Sequence, residues 1–559
     1  MPEILSIKNL SISFDHDGKN SPAVSGIDFK VEKGKLTAVV GESGSGKSVT
    51  ALSLLQLLPD SAQITGEILF DPGEKKLDLL RLNKKQINTI RGNKISMIFQ
   101  EPMTSLNPVL TCGEQVMEVL IRHKGCSKKE ARQKTIALFR QTGLPKPEIL
   151  INRYPHQVSG GQKQRVMIAM AMSCEPSLLI ADEPTTALDV TVQKNILGLI
   201  KNLQQQNNMA VLLITHDLGL VADVADEILV MYKGQIAEQG SARSVLENPQ
   251  HPYTRALLAC RPASNSREMK LPVIGNFMGE NITTPEKLAK LPVLDETVLA
   301  VQDLRVSFPE KKNILGRPLS FYKAVDGISF EVKKNETIGL VGESGCGKTT
   351  LGRAILQLIP SSSGKIILNG KDLSLTTPGE KRILRRELQV VFQDPYGSLN
   401  PRISIGDAIT EPMNVHGLFE TKKQRKEKAI ELLEKVNLQA GHFNRYPHQF
   451  SGGQRQRICI ARALALEPSF IIFDESVSAL DVSVQAQVLN LISDLKASQH
   501  FTSIFISHDL SVVHYISDRI MVMQQGRIVE EGTAENIYLN PQQEYTRLLI
   551  EAIPGRKIS

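Results

Sequence analysis

Two eight-residue runs combine glycines, a lysine and a hydroxyl in an order suited to holding phosphate. They read GESGSGKS at 41–48 and GESGCGKT at 342–349. Glycines let consecutive backbone N–H groups turn toward one anion, and the lysine brings a full positive charge to the β- and γ-phosphates of a nucleotide. The hydroxyl that follows can ligate Mg²⁺. The expected contacts are Gly41, Ser43, Gly44, Gly46, Lys47 and Ser48, and in the second run Gly342, Ser344, Gly345, Gly347, Lys348 and Thr349. Farther along, LLIADE at 178–183 and FIIFDE at 470–475 each end an apolar run in two carboxylates. Asp182 and Asp474 are placed to hold the metal ion, and Glu183 and Glu475 to polarise a water for attack on the terminal phosphate. A bare Asp-Glu pair is ordinarily a solvated loop. Here it closes a buried strand downstream of a phosphate cradle, which gives it this chemistry.

These residues need elements to position them. LTAVV at 36–40 reads as a strand and VTALSLLQLL at 49–58 as an apolar helix, the context a phosphate-binding loop requires. The runs at 36–40, 178–180 and 211–214 read as buried strands, each followed by a polar or glycine-rich loop. In open α/β sheets that edge is where ligands bind. Helical periodicity replaces the strand pattern between about 101 and 170 and again between 394 and 462, which predicts a helical insert in each half.

The chain repeats itself. RYPHQVSGGQKQR at 153–165 returns as RYPHQFSGGQRQR at 445–457, LLITHDL at 212–218 as IFISHDL at 504–510, and NPQHPYTRALL at 248–258 as NPQQEYTRLLI at 540–550, all offset by 292. One domain has been duplicated and fused. The expected organisation is a first α/β nucleotide-binding domain at 1–260, a proline-bearing connector at 261–296 and a second such domain at 297–559.

Composition narrows the class. Apolar residues at 41% and charged residues at 22% exclude a disordered or fibrous chain. No apolar run reaches the roughly 18 residues a membrane span needs. The N-terminus lacks the basic start and apolar core of a secretory signal, so a cytosolic location is expected. Six cysteines lie scattered with no CxxC spacing, which argues against zinc, iron–sulfur and disulfide frameworks. A net charge of +7 over 559 residues reads as a solvated surface, with weak attraction to an anionic membrane face as the alternative, and by itself does not imply nucleic acid.

With these residues in view, the chain resembles the ATP-binding cassette (ABC) ATPases, twice. Ser159-Gly160-Gly161-Gln162 and Ser451-Gly452-Gly453-Gln454 resemble the family signature, Gln100 and Gln393 its Q-loop, Asp189 and Asp481 its D-loop, and His216 and His508 its switch histidine. The resemblance implies two tandem P-loop NTPase domains, each with a helical subdomain, paired head to tail within the chain around two ATP molecules. One site would then use Lys47, Ser48, Gln100, Asp182, Glu183 and His216 with Ser451, Gly452 and Gly453 from the other half. The second would use Lys348, Thr349, Gln393, Asp474, Glu475 and His508 with Ser159, Gly160 and Gly161. The glutamines would join the metal ligands. The family's adenine-stacking aromatic falls on Phe14 and Phe308, with a buried strand aromatic as the competing reading; Phe321 and Tyr322 add further aromatics in the second half. Ser476 replaces the Pro184 of the first half, a change that loosens a turn but removes no acid, base or ligand, so both sites are expected to be competent.

The branch also has a signature. QEPMTSLNP at 100–108 and QDPYGSLNP at 393–401, RYPHQ before each signature and the PYTRALL and EYTRLLI segments resemble dipeptide, oligopeptide and nickel importers. That resemblance implies an ATPase at the cytoplasmic face of the inner membrane, bound to two membrane-spanning permease subunits and indirectly to an extracytoplasmic solute-binding protein. It implies no nucleic-acid partner and, with too few cysteines near either C-terminal segment, no iron–sulfur centre. The alternative is a soluble tandem-cassette ATPase acting on ribosomes or nucleic acid, whose D-loop and long charged linker are not matched here. Cys346, inside the second phosphate loop, is expected to make that site sensitive to alkylation.

Overall fold

Leu36–Val40, Leu178–Asp182 and Ala210–Thr215 are strands, and every residue in them is buried. Strands covered on both faces need apolar side chains in both directions, which is why these runs are continuous and not alternating. The computed structural model describes residues 2–16, 19–73, 75–100, 105–185, 188–262, 267–279, 286–312 and 318–555. Residues 101–104 of the Q-loop segment and Thr186 and Ala187 of the first D-loop lie outside the described residues.

The chain divides into two compact units, one of Met1–Leu258 with Phe277–Glu280 and Pro554–Ser559, the other of Ala259–Asn276 and Asn281–Ile553. The first holds a six-stranded sheet in the order Gln235–Ser241, Glu227–Tyr232, Leu36–Val40, Ala210–Thr215, Leu178–Asp182, Ile95–Ile98. All neighbours run parallel except the Gln235–Ser241 edge. Four adjacent parallel strands therefore release their following loops at one edge, and those loops carry Gly41, His216, Glu183 and Gln100. A four-stranded antiparallel sheet, in the order Lys19–Glu32, Glu3–His16, Ala62–Phe70, Leu77–Asp78, covers the phosphate-loop side. Its apolar face joins Ala51, Leu54 and Ile180 in one core.

The helical insert is built from local rules. Thr111 and Ser127 cap Cys112–Lys124 and Lys128–Gln141, each with a glutamate three residues on completing a capping box. Gly125 ends the first of these at φ 64. The second buries Ala131, Thr135 and Phe139, a stripe at i, i+4, i+8, while its remaining residues are mostly charged.

The second unit repeats the plan. Its six-stranded sheet runs Leu388–Val391, Phe470–Asp474, Thr502–Ile506, Thr337–Val341, Arg519–Gln524, Arg527–Thr533. Its helical insert contains Ile405–Val415 and Lys422–Lys435 ahead of Gly452–Leu464. The same edge here carries Gln393, Glu475, His508 and Gly342.

Part of the segment read as a connector is built into this unit. Leu271 is 2% exposed in its core. The Leu271 backbone N–H donates to Asn490 Oδ1 at 2.9 Å and its carbonyl accepts from Asn490 Nδ2 at 2.8 Å. Tyr515 donates its hydroxyl to the Met269 carbonyl at 3.0 Å. Lys270 pairs with Glu286 and Asp494, and Arg267 donates to the Ser517 carbonyl. Met269 pairs with Lys287 in a short antiparallel bridge, and side chains from the helices Val482–Gln499 and Leu510–Ile516 satisfy the backbone of Leu271 beside it.

Arg267 also acts on an imidazole. His514 stacks on Tyr538 at 4.0 Å, and burial, with the Arg267 guanidinium beside it, lowers its pKa from 6.5 to about 4, against the pull of Glu535. An imidazole whose folded pKa lies below its unfolded value takes up a proton on unfolding. Its contribution is complete above pH 6.5 and is lost as pH falls toward 4. Going from pH 7 to pH 5 is expected to cost about 1–2 kcal/mol of stability from this group. Urea melts at the two pH values check it, and His514→Asn is expected to flatten the difference by that amount.

Candidate functional site

Each phosphate loop is shaped by its backbone. Gly46 at φ 99 and Gly347 at φ 112 sit where a side chain is disfavoured, and a Cβ would lie 2.8 Å from the Ala23 carbonyl in one unit and 2.1 Å from the Ala324 carbonyl in the other. The helices Lys47–Leu54 and Lys348–Ile355 start there with no acidic residue in the first turn, leaving their positive ends unopposed for an anion. Ser43, Gly44, Ser344 and Gly345 are exposed at the mouths of the loops, while Gly41 and Gly342 are buried at the ends of their strands.

The two lysines lie inside. Lys47 is 5% exposed and donates to the Gly41 and Glu42 carbonyls, both at 2.7 Å. Lys348 donates to the Gly342 carbonyl at 2.6 Å and the Glu343 carbonyl at 2.9 Å. An ammonium that rests on carbonyl oxygens of its own loop is placed to meet phosphate oxygens.

Next to each lysine a hydroxyl meets a carboxylate. Ser48 donates to Asp182 at 3.0 Å, and Thr349 to Asp474 at 3.1 Å. Burial pushes Asp182 up to about 6, with Glu183 adding to the rise while Ser48 and Lys47 oppose it. Asp474 is raised for the same first reason. These are carboxylates whose charge is costly without a cation.

The adjacent glutamates converge with residues from two other strand ends. Glu183 accepts from Gln100 Nε2 at 3.1 Å and lies 3.2 Å from His216 Nδ1. Glu475 accepts from Gln393 Nε2 at 2.9 Å and lies 3.5 Å from His508 Nδ1. Burial drives Glu475 upward, but His508 and Lys348 outweigh it and hold the carboxyl below its usual range, in the form a base needs. Both glutamates adopt a positive φ, 45 and 48, an unfavourable conformation for a residue with a side chain. Their backbone N–H groups, bonded to the Ile214 and Ile506 carbonyls, hold that turn. The strain recurs at the same residue in both units, where it aims the carboxylate at the loop edge.

Ser159 and Ser451 cap the helices Gly160–Met172 and Gly452–Leu464. A Cβ on Gly453 would meet Val484 at 2.2 Å and one on Gly161 would meet Val192 at 3.2 Å, so close packing demands glycine most at Gly453. Ser159, Gly160 and Ser451 are exposed, presenting the positive ends of 13-residue helices to solvent. Asp189 and Asp481 stand at the N-caps of the helices Val190–Asn207 and Val482–Gln499.

The aromatics differ between units. Phe14 is half-buried against the core and pairs across the strands with Ser21. Phe308 is exposed and pairs with Tyr322, whose hydroxyl donates to the Gly345 carbonyl of the phosphate loop at 3.0 Å. Cys346 is 7% exposed, and burial raises its thiol pKa, so the thiolate needed for alkylation is scarce at neutral pH. Ser476 is 2% exposed and its hydroxyl has no hydrogen-bond partner among the described residues. Ser476→Pro restores the residue of the first unit and is expected to stabilise the chain by about 1 kcal/mol by removing a buried orphan hydroxyl and stiffening the unfolded chain. A higher urea midpoint checks this.

The sequence profile of the ABC transporter family matches the chain at residues 24–186 and again at 325–478. The chain belongs to the ABC transporter family. It is an ABC-type ATPase with two cassettes, and it binds ATP. The profile of the oligopeptide/dipeptide transporter C-terminal region matches residues 237–286 and 529–557 of this ABC ATPase. The glutathione import ATP-binding protein GsiA of Escherichia coli (strain K12) is 48% identical over 559 residues, 99% of this chain and 89% of that protein. The protein of the same name from Salmonella typhimurium (strain LT2) is 47% identical over 561 residues, 99% of this chain and 90% of that one. Among solved structures, a dimeric bacterial ABC transporter cassette aligns with 28% identity and a TM-score of 0.39, covering 43% of this chain and 99% of that one.

Two residues at the loops escaped sequence reasoning. Tyr253 and Tyr545 accept hydrogen bonds from the Glu42 and Glu343 backbone N–H groups. Their segments were visible as repeats, but nothing local ties them to a loop some 200 residues earlier, with separations of 211 and 202.

Proposed function

We propose that this ABC ATPase energises the import of short peptides or related small solutes, glutathione among them, through two permease subunits at the cytoplasmic face of the membrane. One observation carries the reading. Identity of 48% spans 99% of the chain, and the relative it spans is a glutathione import ATP-binding protein. The oligopeptide-type C-terminal segment in both halves supports it. Among the described residues no helix is long and apolar enough to cross a membrane, so the path for solute belongs to other chains.

In the proposed cycle the loop residues from Gly41 to Ser48 and from Gly342 to Thr349 bind ATP, and Ser159–Gly161 and Ser451–Gly453 take part in nucleotide binding. Glu183 and Glu475 accept the proton of the attacking water, with Gln100, His216, Gln393 and His508 orienting them. Phe14 and Phe308 stack on adenine, Phe308 together with Tyr322. The hydroxyl and buried carboxylate pairs Ser48–Asp182 and Thr349–Asp474 suit a small hard cation, and Gln100 and Gln393 stand at the same edge. Mg²⁺ held there would neutralise charge on the terminal phosphates.

The test is to trap the chain with Glu183→Gln and Glu475→Gln together and purify it gently from solubilised cells in ATP. Co-purification of two multi-span permeases is the expected result. Ribosomes or nucleic acid in their place would overturn the importer reading.

A further inference from the structure

The first peptide group of each phosphate loop is held at both edges. In the first unit the Gly41 carbonyl accepts from Lys47 at 2.7 Å, while the N–H of that same peptide, on Glu42, donates to the Tyr253 hydroxyl at 3.1 Å. In the second unit the Gly342 carbonyl accepts from Lys348 at 2.6 Å, and the Glu343 N–H donates to the Tyr545 hydroxyl at 3.0 Å. A peptide plane is rigid, so fixing its N–H fixes the direction of its carbonyl. That carbonyl is one of the groups on which the lysine rests. The tyrosine therefore sets where the ammonium sits, and it takes one N–H out of the set facing the phosphates.

We infer that Tyr253 and Tyr545 are positioning residues for nucleotide binding, supplied to the cassettes by their C-terminal segments. Both tyrosines lie outside the stretches matched as cassette, 24–186 and 325–478, and inside those matched as oligopeptide/dipeptide C-terminal region, 237–286 and 529–557. Two copies of the arrangement, each spanning more than 200 residues of chain, make a chance contact a poor account. The inference rests on the site reading above, in which Lys47 and Lys348 meet the phosphates.

The two copies are not equal. Tyr253 is fully buried and its ring lies 4.3 Å from that of Tyr232. Tyr545 is half-buried, and Gln524 stands 292 residues after Tyr232 in the position that would stack on it. Water can take over from a lost hydroxyl more easily at Tyr545, so the first unit depends more on its tyrosine.

Phenylalanine keeps the ring and removes the oxygen. In the full chain carrying Lys348→Ala to silence the second site, Tyr253→Phe is expected to weaken MgATP binding about tenfold by calorimetric titration. In the full chain carrying Lys47→Ala, Tyr545→Phe is expected to weaken it about threefold. The urea midpoint without nucleotide is expected to fall slightly for Tyr253→Phe, whose buried hydroxyl water replaces poorly, and to stay where it was for Tyr545→Phe. Unchanged MgATP affinity in both would overturn the inference, and so would a Tyr545→Phe midpoint that falls together with affinity, since a purely structural role predicts that. If the chain with Lys348→Ala and Tyr253 intact bound no MgATP, the site reading would fall and this inference with it.

Discussion

Replacing Glu183 and Glu475 together by glutamine is expected to slow ATP turnover by about 10³-fold while ATP binding persists. The expectation comes from geometry. Each carboxylate closes a buried strand, is held in a strained turn, and is gripped by a glutamine amide and a histidine ring from neighbouring strand ends. Glutamine fills the same space and still accepts one hydrogen bond, but it cannot take a proton from water at neutral pH. Phosphate release measures the loss, and equilibrium ATP binding shows that the loops are intact. The two units match residue for residue at this point, so each single substitution is expected to remove about half the turnover. A Glu475→Gln chain as active as wild type, beside an inactive Glu183→Gln chain, would show that the two sites are not equivalent.

Lys47→Ala and Lys348→Ala are expected to act one step earlier, weakening ATP at the affected site by about 10²-fold or more. Lys47 and Lys348 are 5% and 4% exposed, and each rests on two carbonyls of its own loop. Alanine removes the charge that phosphate oxygens would meet in a poorly hydrated place. Because a buried ammonium is itself costly to hold, the chain without nucleotide should lose little stability. Titration with MgATP, read beside a urea melt, separates the two effects. Affinity within threefold of wild type would mean that the cradle does not work through its lysine.

Much of this was legible in the amino-acid order. The phosphate loops could be read because phosphate imposes a spacing on the chain within eight residues: Gly46 must turn at positive φ, Lys47 must follow it and start a helix, and Ser48 must stand in its first turn. The strand Leu178–Asp182 could be read because burial on both faces demands an unbroken apolar run before the carboxylates. The helical insert could be read from its periodicity, and Thr111 with Glu114 and Ser127 with Glu130 set where two of its helices begin. All of these are local rules, enforced by neighbours within a turn or a few strand residues.

Other features depend on partners far along the chain. That Gln100 and His216 grip the same carboxylate follows from three strands lying side by side, an order no single segment carries. The rise of Asp182 to about 6 reflects how deeply the sheet edge is covered. Residues around Leu271 read as an irregular connector because no periodicity marks them, and Asn490 and Tyr515 satisfy their backbone across some 220–245 positions, with separations of 219 and 244. Tyr253 and Tyr545 sat in visible repeats, yet only the folded chain brings their hydroxyls to the phosphate loops. A backbone conformation is chosen by its nearest residues and leaves its mark in their types and spacing. A hydrogen bond between groups far apart in the chain leaves no such mark, because the glutamine, histidine or tyrosine that makes it is by itself an ordinary polar residue and a backbone N–H belongs to every residue but proline.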